Sequence, residues 1–178
     1  MNAAIIVAGG NGSRIGGKLP KQFIKIDGQE ILSFSVYTFL THPQINEVII
    51  VSHPEWVNHV SKEYPECKVI EGGVRRQDSS LNGVRSISDE SENVLIHDAA
   101  RPFVSKEIIT TCLSALVNAD GSAPVIEVSN SLIQLEEGKA TYMDRSDIQE
   151  VQTPQCFRKE LVLQALTAGI EDTDELGL

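Results

Sequence analysis

Ala3-Ala4-Ile5-Ile6-Val7-Ala8-Gly9-Gly10-Asn11-Gly12-Ser13-Arg14 opens the chain, and Lys18-Leu19-Pro20-Lys21-Gln22-Phe23 follows within a few residues. The apolar run has the length and composition of a strand that wants cover on both faces. Three glycines in four positions then let the backbone turn tightly and bring its N–H groups close to an anion. Arg14, Lys18 and Lys21 add positive charge just beyond. Backbone donors beside planar and mobile cations are what a polyphosphate requires.

Two familiar phosphate loops are excluded by residue identity. A dinucleotide fingerprint needs Gly-x-Gly-x-x-Gly, but Gly10-Asn11-Gly12-Ser13-Arg14 is followed by Ile15, and the second expected strand ends Val51-Ser52-His53 with no acid to read a ribose. A P-loop could run from Gly12 to Gly17 and Lys18, but Leu19 stands where its hydroxyl belongs, and Pro20 interrupts the helix that should follow. The glycines alone also suit a plain strand-to-helix connection with a solvated basic edge.

A length of 178 residues suggests one domain with a substantial core. The net charge of −10 argues against a nucleic-acid partner, whose binding is built from clustered cations. Against that acidic background, Arg14, Lys18, Lys21 and Lys25 in one stretch can focus a small anion. No apolar segment approaches the length of a membrane span, and the first strand begins without a signal-peptide pattern. Cys67, Cys112 and Cys156 are odd in number, widely spaced and without metal-site spacing, which suits a reducing, cytoplasmic setting. His42, His53, His59 and His97 are scattered likewise.

Apolar runs and amphipathic segments alternate along the chain. Strands are expected at Ala3–Val7, Val48–Val51, Lys68–Glu71, Val94–His97 and Ala123–Val128, with Ile148–Gln152 returning to the sheet. Helices are expected at Ile31–Leu40, Pro54–Glu63, Gln77–Ser86, Lys106–Asn118 and Glu160–Ala168. This is the pattern of an α/β fold with a mainly parallel sheet and helices on both faces, in which ligands collect at the carboxyl ends of strands. Ser131–Leu135 and Ala140–Tyr142, around Glu136-Glu137-Gly138-Lys139, read as an inserted β-hairpin. A lone hairpin has no core of its own, so it packs on something else, such as a second subunit.

Further clusters fall at strand ends. Gly72-Gly73-Val74-Arg75-Arg76-Gln77-Asp78-Ser79 permits close backbone approach and offers a hydroxyl at a helix start, where Asp78 or Ser79 can equally be a cap. In His97-Asp98-Ala99-Ala100-Arg101-Pro102-Phe103, Asp98 can receive sugar hydroxyls or help position a metal. Arg101 can bind an anion or pair with Asp98. Arg145, in Asp144-Arg145-Ser146, carries a planar fork suited to phosphate. Thr153, in Gln152-Thr153-Pro154-Gln155, can donate a hydrogen bond or be an ordinary residue before proline.

Taken in order, Ala8–Arg14, Leu19-Pro20-Lys21-Gln22, Gly72-Gly73, Asp78-Ser79, His97–Phe103, Asp144-Arg145-Ser146 and Gln152–Gln155 resemble the 2-C-methyl-D-erythritol 4-phosphate cytidylyltransferases, across nearly the whole chain. The resemblance implies a Rossmann-like sheet with the hairpin, about residues 129–146, as a dimerisation arm. It implies that Ala8, Gly9, Gly10, Asn11 and Gly12, with Gly73 and Ser79, hold CTP. Arg14 and Lys21 would be the catalytic pair. Asp98, Arg101 and Thr153 would bind the sugar-alcohol phosphate, with Ser131 and Arg145 reaching in from the partner of a homodimer. A divalent metal, usually Mg2+, accompanies CTP, no protein residue is implied as its ligand, and the products are CDP-methylerythritol and pyrophosphate, for isoprenoid precursors.

Two departures stand out. The family has Asp-Thr at the start of the arm where this chain has Asn130-Ser131, and its members continue past the Thr173–Leu178 end with further elements and an acceptor-binding lysine. The alternatives are a ribitol-5-phosphate cytidylyltransferase, faintly echoed by Pro54–His59, or a shortened, non-catalytic CTP-binding partner.

Overall fold

Strand β1 (Asn2–Ala8) lies in the middle of the main sheet, and its run Ala3-Ala4-Ile5-Ile6 is buried on both faces. The computed structural model describes residues 1–10, 19–169 and 175–177. After β1 come a 3-10 turn at Lys21–Phe23, the small hairpin β2 (Lys25–Ile26) and β3 (Gln29–Glu30), and α1 (Ile31–Leu40). Then follow β4 (Glu47–Ser52), α2 (Val57–Glu63) entered through a 3-10 turn at Pro54–Trp56, β5 (Lys68–Glu71), α3 (Arg76–Ser86), β6 (Asn93–Asp98) and α4 (Lys106–Ala115). The remainder is β7 (Gly121–Ser122), β8 (Val125–Glu127), β9 (Leu132–Glu136), β10 (Lys139–Met143), β11 (Gln149–Val151), β12 (Gln155–Arg158) and α5 (Lys159–Thr167).

The main sheet has the order β5-β4-β1-β6-β12-β7. Strands β5, β4, β1 and β6 run parallel, and β12 is antiparallel to both of its neighbours. Ala4, Ile6, Ile50 and Leu95 face one apolar layer with Leu32 and Phe39 of α1, Val60 of α2 and Ile109 of α4. Ala3, Ile5, Ile49 and Ile96 face the other, with Val84 of α3 and Val162 and Leu166 of α5. Covering both faces explains why the strand sequences are continuously apolar rather than alternating. A Cβ at Gly83 would stand 2.7 Å from Ile5 Cγ2, so the missing side chain is what lets α3 settle so close to β1.

The expected elements appear with small boundary shifts, and three expectations need correction. Ala123–Val128 is not a strand of the main sheet: only Val125–Glu127 within it is strand, as β8 outside that sheet, while the main-sheet strand β7 lies just before it, ahead of Pro124, which has no N–H for a ladder. Ile148–Gln152 does not return to that sheet, because β11 pairs with β8 in a separate two-stranded ribbon. The returning strand is β12, inserted between β6 and β7 with Cys156 fully buried. Helix α4 ends at Ala115 rather than Asn118.

The hairpin is present, with Lys139 paired to Glu136 and Met143 to Leu132. Glu137 and Gly138 both have positive φ, 47° and 80°, as a tight two-residue turn between right-twisted strands demands. Every residue of β10 is exposed. Arg145 closes the hairpin base by donating from Nη1 to the Ser129 carbonyl at 2.7 Å.

Candidate active site

Strand order places β1 between neighbours whose connections leave in opposite directions, β4 on one side and β6 on the other. Ligands of open α/β sheets bind at such a switch point, outside the carboxyl ends of the strands. Register brings those ends level: Ala8 lies beside Ser52, Ser52 beside Glu71, and Val7 beside Asp98. A cavity of about 650 Å3 opens there, lined by Ala8, Gly9, Gly10, Lys21, Gly73, Ser79, Asp98 and Arg101 among others.

Gln22 anchors one wall. Its buried amide donates to the carbonyls of Ala8 (2.7 Å) and Gly10 (3.3 Å), tying the 3-10 turn to the end of β1. Pro20 is the residue before that turn, and Phe23 within it is buried and stacks on Trp56 with ring centroids 4.6 Å apart. Lys21 is thus carried on a short rigid segment at the cavity's edge. Asn11, Gly12 and Arg14 lie outside the described residues.

The second wall is the start of α3. Gly73 N–H donates to Ser79 Oγ at 3.0 Å, and the hydroxyl donates onward to the Arg75 carbonyl at 3.2 Å. A Cβ on Gly73 would fall 2.2 Å from Asp78 Cβ, a collision between main-chain-anchored atoms, so this glycine is required by space. Asp78 accepts the Arg75 N–H at 3.0 Å and pairs with the Arg75 guanidinium at 2.8 Å, forming the helix cap. Those hydrogen bonds hold the Asp78 carboxyl below the usual carboxylate range.

Asp98 forms the third wall, at the end of β6. Its Oδ1 accepts from Arg76 Nε (3.2 Å) and Nη2 (3.1 Å), and its Oδ2 from Arg101 Nε (3.1 Å). Burial alone would raise the Asp98 pKa, but the Arg76 charge and the hydrogen bonds from both arginines hold it below the ordinary value. The expected Asp98–Arg101 pairing is therefore real, and Arg101 also reaches the Gln152 side chain. Thr153 does not line the cavity. It sits buried beneath, accepting the Asp98 N–H at 3.3 Å and lying 2.9 Å from His97 Nδ1. His97 Nε2 is 3.1 Å from the Arg101 carbonyl, so one fully buried ring supports both loops. Burial pushes its pKa down to about 4 and keeps the ring neutral.

Ser131 and Arg145 do not line this cavity; both are exposed, beside and at the base of the hairpin. Among the described residues, no group of three or more His, Cys, Asp or Glu side chains is placed to hold a metal ion. With both Asp98 oxygens engaged by arginines, a protein-built metal cage does not fit these residues. No helix among them is long and apolar enough to cross a membrane.

Sequence reasoning passed over Arg76, Gln22, His97 and Glu175. Arg76 and Gln22 stood in quoted motifs without a role. Glu175, which contacts Arg76 from 99 positions away, carried no local signal.

Comparison with known proteins identifies the family. The family model for IspD, 2-C-methyl-D-erythritol 4-phosphate cytidylyltransferase, matches residues 2–178. Proteins of that name from Clostridium botulinum (strain 657 / Type Ba4) and Cereibacter sphaeroides are 36% and 38% identical over 171 residues; the matches cover 91% and 92% of this chain and 74% and 75% of the relatives' own lengths. The solved structure of the bifunctional IspDF from Campylobacter jejuni superposes with a TM-score of 0.85 at 26% identity, covering 99% of this chain and 46% of that one. That of 4-diphosphocytidyl-2C-methyl-D-erythritol synthase from Anaerococcus prevotii gives 0.87 at 23% identity, covering 98% and 79%, which shows the shared fold. The chain belongs to the 2-C-methyl-D-erythritol 4-phosphate cytidylyltransferase family.

Proposed function

We propose that this protein transfers the cytidylyl group of CTP to 2-C-methyl-D-erythritol 4-phosphate, giving CDP-methylerythritol and pyrophosphate for isoprenoid precursor synthesis. The observation that carries the reading is the single cavity joining Gly9-Gly10, Lys21, Gly73 and Ser79 to Asp98 and Arg101, in a chain of this family. The acceptor's phosphate oxygen attacks the α-phosphorus of CTP in line, and pyrophosphate leaves. That nucleophile is already anionic at neutral pH, so no general base is needed. The barrier lies in charge repulsion and charge build-up at phosphorus, and fixed cations lower it. Lys21 and Arg14 supply those cations, the glycine loops hold the triphosphate and cytosine, and Asp98 and Arg101 orient the acceptor.

A divalent metal such as magnesium would come with CTP and would offset the triphosphate charge, with no ligand from this chain required. A second copy of the chain covers the hairpin, whose Ile133, Leu135 and Tyr142 are exposed. This pairing would carry Ser131 and Arg145 to the partner's acceptor end, in keeping with their position away from their own cavity.

With CTP and magnesium, methylerythritol phosphate should release pyrophosphate while ribitol 5-phosphate stays near background, and a chelator should stop the reaction. The protein should sediment as a dimer. Equal or faster turnover of ribitol 5-phosphate would overturn the acceptor assignment, and a monomer that is fully active would overturn the role of the arm.

A further inference from the structure

Arg76 faces the cavity where its nucleotide and acceptor walls meet, yet none of the chemistry above uses it. Two of its nitrogens hold Asp98 Oδ1, and the third, Nη1, meets Glu175 Oε2. The Glu175 side chain is 1% exposed. Its other oxygen accepts from Ser80 Oγ at 2.6 Å, one helical turn beyond Arg76 on α3. The next residue, Leu176, donates its N–H at 3.1 Å to Oε1 of Gln155, itself buried on β12. One guanidinium therefore ties α3 to the end of β6 and to Glu175, and the Leu176 N–H ties the same segment to β12.

The charges give this arrangement a direction. Arg76 stands between two carboxylates, and both raise its pKa against the effect of burial. A planar fork held on both sides cannot swing. With the Glu175 charge removed, the nearest strong competitor for its free edge is the CTP triphosphate, which favours bidentate guanidinium contacts.

We propose that Arg76 and Glu175 are positioning residues for acceptor binding: Glu175 fixes the Arg76 fork, and the fork fixes the carboxylate of Asp98. The proposal rests on the reading that Asp98 contacts the acceptor. Glu175→Gln keeps the shape and the Ser80 hydrogen bond but removes the charge. Arg76→Lys keeps the charge but removes the fork.

Steady-state kinetics separate these effects, with Asp98→Asn as the reference. All three variants should raise the methylerythritol phosphate KM, roughly tenfold for loss of one charge-assisted contact. In Glu175→Gln the CTP KM should stay level or fall, since a negative charge beside the triphosphate has gone. General damage to the fold would raise both KM values together, so a parallel rise overturns the proposal. Thermal melts check folding, and if Glu175→Gln does not fold, Arg76→Lys carries the test by the same split. An unchanged acceptor KM in Asp98→Asn would sink the acceptor-site reading, and the positioning role with it. An effect in Asp98→Asn but in neither of the others would sink the positioning role alone.

Discussion

Lys21→Ala should lower kcat about 100-fold, the loss expected when one preorganised cation, worth about 3 kcal/mol in the transition state, is removed. The size follows from how the residue is mounted. Lys21 begins a 3-10 turn whose next residue, Gln22, is clamped to the carbonyls of Ala8 and Gly10. Phe23, stacked on Trp56, holds the far end of the turn. The side chain therefore approaches the cavity from a base that needs little rearrangement when charge builds at phosphorus. Arg14→Ala should cost a similar factor, as the second member of the pair. Pyrophosphate release at saturating substrates measures both, with a thermal melt confirming the fold. Near-normal turnover by folded Lys21→Ala would remove that residue from the reaction.

His97 should make the protein lose stability in mild acid. Burial lowers its pKa to about 4 from an ordinary 6.5. The folded ring stays neutral while the unfolded ring takes up a proton, so the unfolded state binds more protons between those values. Stability from this group is complete above about pH 6.5, falls as pH drops through the window, and levels off below about pH 4. A gap of that size corresponds to about 3 kcal/mol. Urea unfolding of the parent and of His97→Gln at pH 7 and pH 4 isolates the contribution, since the other titrating groups are common to both. The parent's advantage should shrink by about that amount at the lower pH. An advantage independent of pH would mean that the ring titrates normally in the folded protein.

Much of the sheet was legible because burial on both faces writes itself as uninterrupted β-branched sequence. Val-Ile-Ile-Val in β4 admits little else, and Lys68–Glu71 was closed off by the Gly72-Gly73 that follows it. Strand β12 was missed for the complementary reason. Gln155-Cys156-Phe157-Arg158 is short and carries a polar residue at each end, and its place in the sheet comes from pairing with β6, some sixty residues earlier in the chain. The run around Pro124 looked like one strand because apolar content hides a missing backbone donor.

The site divides in the same way. Asp98 and Arg101 are three residues apart, so their pairing could be anticipated from spacing. The Gly73–Ser79 contact joins a loop to the helix that directly follows it and was also within reach. The hold of Arg76 on both Asp98 and Glu175 depends on three distant segments meeting, which no local pattern encodes. Thr153 was anticipated as a ligand donor, but in the folded chain its hydroxyl is engaged by His97 and the Asp98 backbone.

Isotopic labelling of the acceptor tests the central claim most directly. Methylerythritol phosphate bearing 18O at its non-bridging phosphate oxygens is incubated with the protein, CTP and magnesium, and the products are read by mass spectrometry and 31P NMR. Attack by the acceptor's phosphate on the α-phosphorus predicts that all the label stays in CDP-methylerythritol, with one 18O bridging its two phosphorus atoms. The released pyrophosphate should carry none. Label in the pyrophosphate, or a diphosphate bridge made of unlabelled oxygen, would contradict the account.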